Sequence, residues 1–171
     1  MVNKKVIYTA IFGGYDKLPE PTFLPEGWDF ICFTDTDIIS EHWTINKVPA
    51  IYEDSTRNAR KYKLLPHRWF PQYEYSLWVD GNIIIRDNVN ELIQKYLSDS
   101  NLAVHDHNQN ILDPRNCVYD EANTIFYFGR KNGNYKDDPE IIHKQVQGYA
   151  DEGYPQKNSL AVTMQLLRRH N

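Results

Sequence analysis

The stretch Tyr75–Asn88 reads YSLWVDGNIIIRDN, and its centre sets an acid, a glycine and an amide between two apolar runs. A carboxylate at Asp80 must emerge from a core between Leu-Trp-Val and Ile-Ile-Ile, where an unpaired charge is costly. It therefore needs a cation or several hydrogen-bond donors as partner. Mg2+ and Mn2+ prefer oxygen ligands, and one or two carboxylates joined by ligand phosphates make such a site. The same residues fit a tight type I′ hairpin, because Asp-Gly is a favoured turn dipeptide between strands. The two readings are compatible, since a turn at a sheet edge can present Asp80 and Asn82 to a ligand.

Other residues could do chemistry near such a site. Arg57, Arg60, Lys61 and Lys63 form a basic cluster shortly before the Asp80 strand, of the kind that holds a diphosphate. An ordinary charged helix face accounts for Arg57 and Lys61. Arg60 and Lys63 are spaced to lie together and face one target. Asp35 follows an apolar run and could join Asp80 and Asn82 in a crevice, or be merely solvated. His105-Asp106-His107 follows another short run, so both histidines would point to one side of a continuing strand. That pair lacks the further ligand spacing of a dedicated zinc site. The sequence has no GxxxxGK[ST] loop, no GxGxxG after its first strand and no GxSxG elbow, which weakens kinase, dehydrogenase and α/β-hydrolase readings.

The elements that must position these residues follow from pattern. Lys5–Phe12, Trp28–Thr34, Trp43–Val48, Tyr75–Val79, Asn82–Ile85 and Leu102–His105 read as strands. Ser55–Leu65 reads as a helix capped by Ser55 and stopped by Pro66, with Ala59, Tyr62 and Leu65 near one face. Val89–Leu97 reads as an amphipathic helix with Val89, Leu92, Ile93, Tyr96 and Leu97 inward. Ala122–Phe128 fits strand or helix. Asp138-Pro139-Glu140 opens a helix with an acid cap and proline at its first position. Strands alternating with helices predict an α/β domain with a largely parallel sheet, in which ligands bind outside the carboxyl ends of the strands.

Composition bounds the function. The chain has 171 residues, enough for one sizeable core, and a formal net charge of −4. No broad basic surface exists to favour nucleic acid or an anionic membrane as the main partner. No segment approaches membrane-spanning length. The apolar run near the N-terminus breaks at Gly13-Gly14 and reads as a first strand rather than a signal peptide. Cys32 and Cys117 make no disulfide framework, which fits a reducing compartment and a cytoplasmic location. The end at LLRRHN follows a strand-like run directly. The expectation is a single domain over residues 1–171, C-terminally truncated or a fragment of a longer chain.

In order, YTAIFGGYDKLPEP, FICFTD, NARKYKLLPH and YSLWVDGNIIIRDN resemble a glycosyltransferase-like family once catalogued as a domain of unknown function. Its members occur in bacterial polysaccharide loci, plant secretory-pathway proteins and viruses. HDHNQN, NCVYDEA, QGYADEGYP and LLRRHN fit the same family. The family is similar to GT-A glycosyltransferases, which bind a nucleotide sugar at the carboxyl ends of a Rossmann-like sheet. The resemblance implies a single GT-A-like domain, and it places Asp80 and Asn82 on the two acids of a D-x-D metal motif. Asn82 offers a neutral oxygen there, so affinity for Mn2+ or Mg2+ should be lower.

By the same resemblance Thr9, Ala10, Tyr15 and Asp35 surround the nucleotide, and Arg60 and Lys63 face the diphosphate or donor sugar. His105, His107 and Glu121 lie on the acceptor side. Asp80 carries the central role, and Glu121, Asp106 and His107 are the candidate bases if the reaction inverts. His170 is a candidate for the late metal-binding histidine of many GT-A enzymes. The implied function is sugar transfer from a nucleoside diphosphate, UDP above all, to a saccharide or glycan acceptor. A catalytically degenerate nucleotide-sugar or carbohydrate-binding module is the alternative. A metal-dependent hydrolase built on His105, Asp106 and His107 ranks below both.

Overall fold

KVIYTAI and WDFICFT are largely apolar stretches rich in β-branched and aromatic residues, buried on both faces apart from Lys5, the exposed Asp29 and the half-buried Ile31. They form β1 (Lys5–Ile11) and β2 (Trp28–Thr34), paired in parallel from Lys5 opposite Trp28 to Ile11 opposite Thr34. The computed structural model describes residues 4–135 and 137–170. Next come β3 (Thr44–Lys47), α1 (Ser55–Leu64), α2 (Pro66–Trp69), β4 (Tyr75–Val79), α3 (Asn90–Tyr96) and β5 (Leu102–Asp106). After a single 3-10 turn at His107–Gln109, α4 (Val118–Asn132), α5 (Pro139–Asp151) and β6 (Ala161–Arg169) complete the chain.

The fold is α/β, as expected, with a six-stranded mixed sheet in the order β3-β2-β1-β4-β6-β5. The pairs β1–β2, β1–β4 and β2–β3 are parallel, and β6 runs antiparallel to β4. Alternation along the strands sorts side chains onto two apolar layers. Ile7, Ile11, Cys32, Leu77, Val79 and Leu167 share one layer with Val89 and Leu97, which flank α3. Val6, Tyr8, Ala10, Phe12, Phe33 and Trp78 share the other with Tyr62 of α1. Tyr62 stacks on Phe12 and Phe33 at ring distances of 5.7 and 4.3 Å.

The chain divides into two compact units, one formed by residues up to Val104 with Thr163 onward, the other by His105–Val162. The second unit contains α4 and α5. Asp138 caps α5 through the Glu140 amide with Pro139 at the first position, as its sequence predicts. Ala122–Phe128, ambiguous by pattern, lies inside α4.

Three local expectations are corrected. Asn82–Ile85 forms no strand, so Asp80-Gly81 is not a hairpin tip; β4 pairs with β1 and β6 instead. The turn itself exists, closed by the Ile83 amide on the Asp80 carbonyl at 3.0 Å. Ile83 and Ile85 pack rather than pair, and the Ile85 carbonyl receives the amides of Thr22 and Phe23. The cap of α1 is Asp54, whose carboxylate accepts from Thr56 and Arg57, and not Ser55. Pro66 does end α1, but by opening α2 at its first position, where it has no amide to lose. Tyr96 is exposed, with the Lys95 ammonium over its ring, rather than inward.

Candidate active site

In this sheet β1 lies between β2 and β4, so strand order reverses at the β1–β4 pair. The crevice outside the carboxyl ends at such a switch point is where open α/β sheets bind ligands. Three segments converge there: the glycine pair after β1, Asp35 after β2 and Asp80 after β4.

Asp35 does structural work at this end. Its Oδ1 accepts the Gly13 amide at 2.8 Å and so ties the two strand ends together. Gly13 and Gly14 both have φ of 61°, the left-handed region. A Cβ on Gly13 would stand 2.5 Å from Ser55 Oγ, so glycine also lets the start of α1 approach. That start is seated by Asn58, which is 2% exposed. Its carbonyl accepts the amides of Ile51 and Tyr52, and its NH2 donates to the carbonyls of Tyr52 and Asp54.

Asp80 has the partners that its buried flanks require. Lys63 Nζ donates to Oδ1 at 3.0 Å and Trp78 Nε1 donates to the same oxygen at 2.8 Å. The Lys63 ammonium also lies over the Trp78 ring, 5.4 Å from its centre. The Lys63 side chain is only 14% exposed against 34% for Asp80, so the pair is anchored from the protein side. Both donors use Oδ1, and among the described residues Oδ2 accepts no hydrogen bond. The Asp80 amide donates to Met164 of β6, which fixes where the turn begins. Gly81 is buried for a steric reason: a Cβ would come within 2.8 Å of Ile11 Cγ1 and 3.0 Å of Asp16 Oδ2. Asn82 is exposed at the turn.

The basic cluster divides. Lys63 turns to Asp80, whereas Arg60 is exposed and makes no ion pair among the described residues. Lys61 lies over the rings of Tyr62 and Trp69, and Arg57 reaches back to Asp54 at 3.7 Å. Thr9 and Ala10 are buried in mid-sheet and, as neighbours in a strand, point to opposite faces. They cannot line one pocket together. Thr9 Oγ1 is buried without a hydrogen-bond partner among the described residues. Tyr15 is exposed beyond the glycine pair.

His105–Val162 carries the remaining candidates. The Asp106 carboxyl is held below the usual carboxylate range by the Asn108 amide and by Ser159. Such a group is a weaker base. Glu121 is paired with Arg115, which also holds Asp113. His107 opens the 3-10 turn, its amide donating to Leu160, and its Nδ1 is buried without a partner among the described residues. His105 is exposed. His170 sits elsewhere, at the amino end of β4, with Nε2 2.7 Å from Ser76 Oγ. The structure does not bring it to Asp80.

Divalent-cation chemistry can be tested against these donors. Among the described residues no group of three or more His, Cys, Asp and Glu converges as a metal cage. Asp80 Oδ2 and the exposed Asn82 amide remain as oxygen donors, which suits an ion shared with a diphosphate rather than one held by protein alone.

The profile of the TOD1/MUCI70 glycosyltransferase-like domain matches residues 34–166. The chain belongs to that family. A relative in Arabidopsis thaliana, named probable hexosyltransferase MUCI70, is 26% identical over 111 residues, covering 54% of this chain and 19% of that protein. This chain thus matches about a fifth of that relative's length, at 19%. No solved structure matches. The TOD1/MUCI70 match spans α1, β4 and the whole Asp80 turn. Two structural contributors to this end of the sheet were not foreseen, Trp78 at the Asp80 turn and Asn58 at the start of α1. Trp78 carried a readable signal, since residues two apart in a strand share a side. Asn58 carried none, because a lone asparagine in a polar helix reads as surface.

Proposed function

We propose that this member of the TOD1/MUCI70 family transfers a sugar, a hexosyl group by analogy with its relative's name, from a nucleoside diphosphate to a saccharide acceptor. UDP is the proposed donor nucleotide. The observation that carries this reading is Asp80 at the switch point, with Oδ1 held by Lys63 and Trp78 and Oδ2 left open. Lys63 has three N–H donors and uses one on Asp80, so it can also meet a phosphate oxygen of the leaving diphosphate. Asp80 orients that ammonium, and Arg60 adds an unspent guanidinium from the same helix. Mn2+ or Mg2+, held by Asp80 and Asn82, would when bound offset diphosphate charge.

If transfer inverts, we propose His107 as the acceptor-side base among Glu121, Asp106 and His107, because Asp106 is a weakened base and Glu121 is engaged by Arg115. His107→Gln should lower transfer at least tenfold, roughly, while leaving UDP affinity unchanged. Unchanged transfer would remove His107 from the reaction. The free, buried Cys32 and Cys117 support a reducing, cytoplasmic setting.

Titration calorimetry with UDP, with and without Mn2+, tests the site. Wild type should bind and Asp80→Ala should bind at least tenfold more weakly, roughly, as expected for loss of a charge-assisted contact. Equal affinities would refute the assignment. Asn82 in place of an acid favours a second reading, a nucleotide-sugar-binding module without turnover. UDP binding without donor hydrolysis or transfer would support it.

A further inference from the structure

The amino end of β4 holds a second concavity, about 360 Å3, lined by Leu64, Pro66, His67, Pro71, Arg168 and His170 among others. Sequence and pleat explain its charge. Arg168 and His170 are two apart at the end of β6 and share a face, and α2 brings His67 to the same wall. Arg169, between them, also lines the concavity, but its guanidinium is already engaged: its Nη2 donates to the Leu97 carbonyl at 2.6 Å and it lies over the Tyr75 ring.

What meets these basic groups is neutral. Arg168 Nη1 donates to the Tyr8 hydroxyl at 3.1 Å, and His170 Nε2 lies 2.7 Å from Ser76 Oγ. Elsewhere Lys47, Arg57, Lys63 and Arg115 each pair with a carboxylate, but among the described residues no carboxylate pairs with His67, Arg168 or His170. The His170 imidazole is held below its ordinary pKa by burial and then by the positive charges of Arg168 and His67. Burial is the larger cause, and the two neighbouring charges act in the same direction, so His170 stays the neutral member of the group.

We infer that this concavity is an oxyanion-binding site that takes a tetrahedral phosphate- or sulfate-sized group. The Arg168 fork keeps N–H donors beyond the one spent on Tyr8, and a guanidinium matches two oxygens of such an anion. The exposed His67 can swing onto a third oxygen. The site is separate from the Asp80 turn, since Ser76 and Asp80 are four residues apart on an extended strand, roughly 13 Å. It does not depend on the glycosyl-transfer reading.

The test follows 1H–15N NMR shifts of the whole chain as sodium sulfate replaces chloride at constant ionic strength. Saturable shifts should centre on Arg168 and His170. Arg168→Gln should weaken binding about tenfold, the loss of a charge-assisted bond. His67→Gln, an exposed change that spares the fold, should weaken it about threefold. Glucose 6-phosphate in a second arm identifies the source: tighter binding than sulfate assigns the anion to a sugar phosphate, equal binding to the free ion. Non-saturating shifts spread over the surface, or equal affinity in wild type and His67→Gln, would overturn the inference.

Discussion

The two ends of β4 differ in how their charges are satisfied. At the carboxyl end, each ordered acid has a protein donor: Asp35 takes the Gly13 amide, and Asp80 takes Lys63 and Trp78. At the amino end, Arg168 and His170 meet only hydroxyls. The first arrangement fixes geometry before a ligand arrives, as preorganised sites require. The second leaves positive charge unspent, which attracts an anion but does little to shape its surroundings. Function is therefore read more firmly at the carboxyl end, where donors from helix and strand converge on one oxygen of Asp80.

The comparison can be broken by loosening one end alone. Asn58→Ala should have the largest effect, about 2–3 kcal/mol in stability by urea denaturation, because it strands the Ile51 and Tyr52 amides. UDP binding should fall with it, while sulfate binding at the amino end stays as in wild type. Parallel loss at both ends would mean that they are not independently built. Gly81→Ala comes next, at about 1–3 kcal/mol, since the new Cβ meets Ile11 and Asp16. A thermal midpoint equal to wild type would show that the turn has room to shift.

The smallest effect belongs to Asp54. Its carboxyl lies below the usual carboxylate range because it accepts the Thr56 amide first and the Arg57 amide after it. A folded pKa below the unfolded one contributes stability above the unfolded value, about 3.9, and loses it as pH falls through the folded value. Asp54→Ala should therefore have a lower thermal midpoint than wild type near neutral pH and converge with it in acid. A constant difference at all pH would contradict this cap.

Much of the fold was legible because the informative elements bury both faces. β1, β2 and β4 show as largely apolar stretches, and α5 announces itself by Asp138-Pro139. Asn82–Ile85 misled because Ile83, Ile84 and Ile85 look like a strand, whereas Ile83 and Ile85 pack on the core and the Ile85 carbonyl anchors residues 22 and 23. Periodicity records burial, not pairing. At the site, Asp80 and Lys63 were legible as residue types, but their mutual pairing depends on α1 packing against β1, which no local pattern records. Arg60 and Lys63 share a spacing and yet only Lys63 reaches inward. Gly81 was read as a turn glycine, and the close approach of Ile11 that demands it comes from another strand.

The most direct measurement is a crystal structure of the chain soaked with UDP. The account predicts the diphosphate outside the carboxyl ends of β1 and β4, within hydrogen-bond distance of Lys63 Nζ and on the Oδ2 side of Asp80. A diphosphate seated instead between His67 and Arg168, or one that leaves Lys63 and Asp80 untouched, would contradict it.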